Sequence, residues 1–152
     1  MKKLTLLIIP ILLICLTGCR EKTGQMVCTL ETKDVVNGYE LHSEYKINNK
    51  DNKVESVKTK EIITSESEDI LNYFETTLKD TYSKSNKAYS GYTYNINKDD
   101  NKVTSEVTID YNTMNLKQFV NDQPSLKSYV KDDKLLIDGI KLIYESIGAT
   151  CK

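Results

Sequence analysis

The sequence has no tryptophan, a single histidine, a single arginine (Arg20) and only two prolines in 152 residues. One histidine, His42, cannot build a closed zinc site unless cysteines complete it. No GxSxG or glycine-rich phosphate loop occurs, so neither a nucleophile elbow nor a nucleotide cradle is marked. No CxxC pair appears either, which leaves a redox dithiol without its usual spacing. Positive charge is scattered among acids rather than clustered, so neither a nucleic-acid nor an anionic-membrane partner is expected. The scarcity of arginine beside abundant Lys, Asn, Asp and Ile is the composition of an AT-rich genome, as in low-GC Gram-positive bacteria.

What is present begins at the N-terminus. Lys2 and Lys3 precede an almost wholly apolar run, Leu4 to Leu16. That run has the length of a signal-peptide h-region and falls short of the roughly 20 residues a spanning helix needs. It ends in Leu16-Thr17-Gly18-Cys19, which resembles the lipobox of bacterial lipoproteins. Residues 1–18 are therefore expected to be a cleaved signal peptide and residues 19–25 a lipidated cysteine with its polar tether. Acyl chains on Cys19 would anchor the chain to membrane lipid at the extracytoplasmic face, and stable anchoring takes more than one chain. Without residues 1–18, 19 basic and 22 acidic residues remain, a net charge of −3. Residues 26–152 are enough for one domain with a real core.

Of the four cysteines, Cys15 leaves with the signal peptide and Cys19 takes the lipid. Cys28 and Cys151 remain, and outside the cytoplasm two such thiols most simply form a disulfide. The bridge would bring the first strand beside the C-terminal tail.

Periodicity gives the fold class. Met26, Cys28 and Leu30 alternate with polar residues, as do Tyr39, Leu41, Ser43, Tyr45 and Ile47, with Asn37-Gly38 as a hairpin signal between them. A third strand is expected over Val54–Ile63. Ser65-Glu66-Ser67-Glu68 has capping-box spacing, and Ile70, Phe74, Leu78 and Tyr82 then form a helical stripe. Tyr92, Tyr94 and Ile96, followed by Val103, Val107, Ile109 and Tyr111, predict a second hairpin. Leu116–Val120 predicts a short helix stopped by Pro124, and Leu126–Val130 a further turn or two. Ile140, Ile143, Tyr144 and Ile147 predict a last helix, with Asp138 as candidate cap and Gly148 as its stop. The expected fold is α+β: an antiparallel sheet of about five strands carrying one long helix and shorter C-terminal helices.

Tyr45–Ser56 matches Tyr94–Ser105 at eight of twelve positions without gaps. A duplicated hairpin–helix unit would explain this. So would two turns that independently use Asn and Asp because those residues favour turns, the reading we take.

Chemistry is sparse. Asn95, Asn97 and Asp99 have the opening spacing of a calcium loop, but Asp100 replaces its glycine and Glu106 falls in a predicted strand. No metal or cofactor is expected. His42 lies on a polar strand face beside Glu40 and Glu44. Tyr89, Tyr92 and Tyr94 crowd around Gly91 and are the candidate ligand-binding residues, because aromatic clusters can form sugar or peptide platforms. The alternative is that tyrosine simply suits half-buried strand positions.

The plan as a whole resembles the YehR-like family of small bacterial lipoproteins. The resemblance is clearest in Val107-Thr-Ile-Asp-Tyr-Asn-Thr-Met-Asn-Leu-Lys-Gln-Phe119 and Gly139-Ile-Lys-Leu-Ile-Tyr-Glu-Ser-Ile-Gly148. It implies an α+β domain with helices on an antiparallel sheet and supplies no catalytic residue. The Cys28/Cys151 pair is not implied by it. The functional expectation is a non-enzymatic binding module at the outer membrane face, for a small ligand, an envelope polymer or a protein. The alternatives are an accessory protein supporting a membrane complex, or an envelope enzyme using carboxylates or a serine–lysine pair.

Overall fold

The computed structural model describes Lys22–Lys152, so Cys19 and the signal segment lie outside the described residues. The chain folds as β1 (Thr23–Asp34), β2 (Tyr39–Lys50), β3 (Lys53–Ser65), α1 (Glu68–Ala88), β4 (Tyr92–Asp99) and β5 (Lys102–Asp110). After these come α2 (Leu116–Asp122), a 3-10 turn (Pro124–Tyr129), the two-residue strands β6 (Val130–Lys131) and β7 (Lys134–Leu135), α3 (Ile137–Ser146) and β8 (Thr150–Cys151). Six strands form one sheet in the order β4-β5-β3-β2-β1-β8, and every pairing in it is antiparallel. The fold is α+β, as periodicity indicated, with β8 as the strand beyond the expected five.

Alternation along each strand makes the sheet one-sided. Cys28, Tyr45, Ile47, Val57, Ile63, Val103 and Val107 share the buried face. The opposite face carries residues such as Glu31, His42, Glu44, Lys46, Lys58, Lys60 and Glu106 and is open to solvent. All the helices sit on the apolar face, in two groups. α1 lies over β3, β5 and β4 and buries Leu71, and Ile63 and Val103, paired in register, are buried in the strands it covers. α2, the 3-10 turn and α3 cover the main cluster, in which Phe119, Leu126 and Ile140 pack with Cys28, Tyr45, Ile47 and Val57. A buried Leu or Ile side chain contributes about 1.5–3 kcal/mol, so this cluster is the main source of stability.

Cys28 and Cys151 are disulfide-bonded, with Cα atoms 4.0 Å apart across a sequence separation of 123 residues. The bridge pins β8 against the middle of β1, where Val27 and Lys152 also exchange backbone hydrogen bonds of 3.0 and 2.9 Å.

Several local expectations change. β1 begins at Thr23 rather than Met26, because Thr23 pairs with Lys50 and the Lys22 N–H donates to Asp51 Oδ1 at 3.0 Å. Asn37-Gly38 does not form a two-residue turn: the loop has four residues, and Gly38 N–H closes it onto Asp34 O at 2.8 Å with φ +72°. The Asp34 carboxylate accepts from Asn37 N–H and Nδ2, an Asx contact that sets the wider loop. Ser65 ends β3 rather than starting the helix: its hydroxyl donates to Gly38 O and accepts from Ser67 N–H, and Ser67 is the N-cap residue. α1 continues to Ala88, past the expected end of its stripe at Tyr82. Asp132-Asp133 forms a tight hairpin turn with φ +51° and +54°.

The two similar hairpins also diverge. Asp51 and Asn52 take positive φ, whereas Asp100 and Asn101 do not. A bulge in β3 then puts Ser56 on the open face while Ser105 is fully buried. The ungapped sequence match therefore does not carry through to equivalent positions, which agrees with turn chemistry as its source.

Candidate functional site

The richest polar constellation lies on the apolar face, between the two groups of helices. Leu30, Ser43, Glu61, Ser105 and Ile96 form one row across β1, β2, β3, β5 and β4. Glu61 points inward because it shares parity with Thr59 and Ile63. Its Oε2 accepts from Ser105 Oγ at 2.7 Å and from the Tyr82 hydroxyl of α1. Ser43, its neighbour across β2–β3, is fully buried, and its hydroxyl has no protein partner among the described residues. Beside the row, Tyr45 stacks on Tyr144 of α3 with ring centroids 4.1 Å apart.

Burial raises the pKa of four phenols around this row, and the Glu61 charge pushes each in the same direction. Tyr92 is raised to about 12, while Tyr45, Tyr82 and Tyr144 also move upward. At neutral pH these hydroxyls are therefore protonated donors facing one carboxylate. The row thus holds a hydrogen-bonded phenol–carboxylate pair, Tyr82 with Glu61, packed between the sheet and α1.

The expected tyrosine trio is split. Tyr92 and Tyr94 lie on the inner face of β4 and both approach Tyr82, at 6.4 and 6.1 Å between centroids. Tyr89 packs edge-on against Phe119 at 5.5 Å, and its hydroxyl donates to Asp122 at 2.7 Å. The three thus serve two different packing contacts rather than one shared platform. His42 lies on the open face beside Glu31. Asn97 Nδ2 donates to Asp99 Oδ1 at 3.2 Å, and Glu106 stands opposite Asn95 in the β4–β5 ladder. The calcium-like spacing is thus laid out along strands. Cys19, the expected lipid site, precedes the described residues.

Two surface features had no clear sequence signal. The first is the β1–β2 loop, where Val35 and Val36 are 78% and 96% exposed beside a cleft of about 530 Å³ lined by Lys33, Tyr39, Thr64 and Glu66. Read as sequence, these valines look like strand; only Asp34 as an Asx-turn starter hinted that the loop opens before them. The second is a cleft of about 550 Å³ formed by α2, the 3-10 turn and β6, with Leu116, Val120, Pro124 and Val130 below Lys117 and Lys127.

These features occupy opposite ends of the sheet. Twelve residues of β1 span about 36 Å from Thr23 to Asp34. The valine loop is at the far end. Asp51 and Asn52 are at the near end, where they touch Lys22 and, through Ile137 N–H and the Lys53–Asp132 ion pair, the region of β6, β7 and α3.

No protein-family profile matches the sequence, and no curated protein is similar to it. Solved structures are similar in fold. A protein from Streptococcus pneumoniae TIGR4, solved by NMR, superposes with a TM-score of 0.51 at 13% identity, covering 100% of this chain and 98% of that one. The NMR structure of the E. coli YehR protein superposes with a TM-score of 0.54 at 16% identity, covering 87% of this chain and 92% of that one. With helices on one face of an antiparallel sheet and this coverage, the chain has a YehR-like fold.

Proposed function

We propose that the chain is a membrane-anchored, extracytoplasmic binding module, held by lipidated Cys19 and presenting the far end of its sheet to a protein partner. The observation that carries this reading is the exposed Val35-Val36 loop beside its cleft, about 36 Å along β1 from the tethered end. Val35 and Val36 form an adjacent, exposed apolar pair that a partner could cover.

The test is a photo-crosslinking residue at Val36, activated in intact cells. A discrete adduct to one envelope protein, lost when the crosslinker is moved to the open face at Lys58, is expected. Uncrosslinked chain from both positions would overturn the partner.

A second reading, an accessory protein built into a membrane complex, draws on the edge of β1. There β8 pairs only with Cys28 and Thr29, which leaves Leu30–Asp34 without a neighbouring strand on that side. A stoichiometric partner that co-purifies with the chain and protects this edge from hydrogen exchange would favour it.

A further inference from the structure

We propose that the near end of the sheet is itself a membrane-docking surface, with the cleft between α2 and β6 seated on anionic phospholipid headgroups. This rests on the Cys19 anchor and adds an orientation to it.

Two observations point to lipid as the occupant. The first is reach. Only Arg20 and Glu21 separate Cys19 from Lys22, whose backbone is already hydrogen-bonded to Asp51. Three residue steps extend at most about 10 Å, so an acylated Cys19 would hold this end of the domain against the headgroups. The second is charge. At the far end, Asp34, Glu66, Glu68, Asp99 and Asp100 outnumber Lys33, Lys98 and Lys102 around the loops and clefts. At the near end lysines gather around the α2–β6 cleft. Lys117 and Lys127 line the cleft with no ion-pair partner among the described residues, and Lys131 and Lys134 flank it on β6 and β7. Around the cleft, Asp132 is paired with Lys53, Asp122 accepts from Tyr89 and Asp133 lies on the rim, while Asp51, Glu55 and Asp110 lie elsewhere at this end.

A negative surface thus repels the far end and attracts the near one. Lys117 and Lys127 would meet phosphate, bringing the cleft and Pro124 within the headgroup layer. The domain would then stand upright, with Val35 and Val36 held away from the bilayer. Scattered in sequence, these lysines gave no sign of this; the fold gathers them.

Because the chain has no tryptophan, a Pro124→Trp probe reports on the cleft alone. The mature lipidated protein carrying it is reconstituted into vesicles of phosphatidylcholine, or of equal parts phosphatidylcholine and phosphatidylglycerol. A blue-shifted emission is expected in the anionic vesicles only, reversed by salt. Lys117→Gln with Lys127→Gln should lower the docked-to-undocked ratio about thirtyfold while the chain stays vesicle-bound. A Lys33→Gln control at the far end should leave it unchanged. Chain bound to both vesicle types with identical emission would refute the docking and spare the anchor. Chain that floats with neither would refute the anchor, and the docking with it.

Discussion

Reducing the Cys28–Cys151 bridge should cost this domain a large share of its stability, for a reason that lies in the unfolded chain. The bridge closes a loop across 123 residues, nearly the whole described domain. In the chain-entropy treatment, opening a loop of that length returns about 5 kcal/mol of freedom to the unfolded state. The folded state should lose little besides β8, which has two residues and depends on the bridge to hold it beside β1. Alanine is the right replacement. Cys28 is fully buried, and serine would add a hydroxyl that must find a partner there. With a urea m-value of about 2 kcal/mol/M for a domain this size, Cys28→Ala/Cys151→Ala should lower the denaturation midpoint by about 2.5 M. Wild-type protein unfolded in reductant should show the same midpoint as the double variant in the absence of reductant. A shift below about 0.5 M would refute the reasoning, as would a clear difference between the two routes.

Other consequences follow from packing and charge. Gly139→Ala should destabilise by about 1–3 kcal/mol in a thermal melt, because the added Cβ would sit 2.6 Å from Tyr129 Cβ. Tyr82→Phe should cost about 1–2 kcal/mol in urea unfolding, since it takes one of the two hydroxyl donors from the inward Glu61 carboxylate. Tyr111 and Tyr144 are deeply buried with pKa values raised above the ordinary 10, chiefly by burial. Their contribution is complete below about pH 10, where the unfolded phenols are still protonated. Above it the unfolded chain releases protons that the folded one retains, and stability falls by about 1.4 kcal/mol per pH unit for each phenol. Phenolate absorbance and circular dichroism should therefore change together on alkaline titration. Val36→Asp should leave the melting midpoint within about 0.5 kcal/mol of wild type but abolish crosslinking from the neighbouring position.

Wherever alternation was strict, periodicity alone placed the structure. Tyr39 to Ile47 and Tyr92 to Ile96 fall as expected because a half-buried strand must alternate. The α1 stripe follows from the same need at helical spacing. The disulfide was legible by elimination, once Cys15 and Cys19 were assigned to an expected signal peptide and lipid site. What escaped was decided by single side chains. Asp34 accepting from Asn37 widened a loop that Asn-Gly alone would have made tight. Ser65 spent its hydroxyl on Gly38 and Ser67 and so stayed in the strand. Glu61 was visible in principle, as an acid at an inward-facing position. Its partners were not, because Tyr82 is 21 residues away and Ser105 is 44. The tyrosine trio looked contiguous around Gly91, yet the turn there divides it: Tyr89 goes to Phe119, while Tyr92 and Tyr94 go to Tyr82.

The anchored binding module is tested most directly by native mass spectrometry of the protein extracted from its own membrane, with and without reductant. The account predicts cleavage before Cys19, a diacylglycerol-sized addition on that residue, a two-proton deficit restored by reductant, and a retained partner mass. Chain that still carries residues 1–18, or that begins at Cys19 without lipid, would contradict the anchor. A lipidated chain that never retains a partner, even after mild crosslinking, would contradict the binding module.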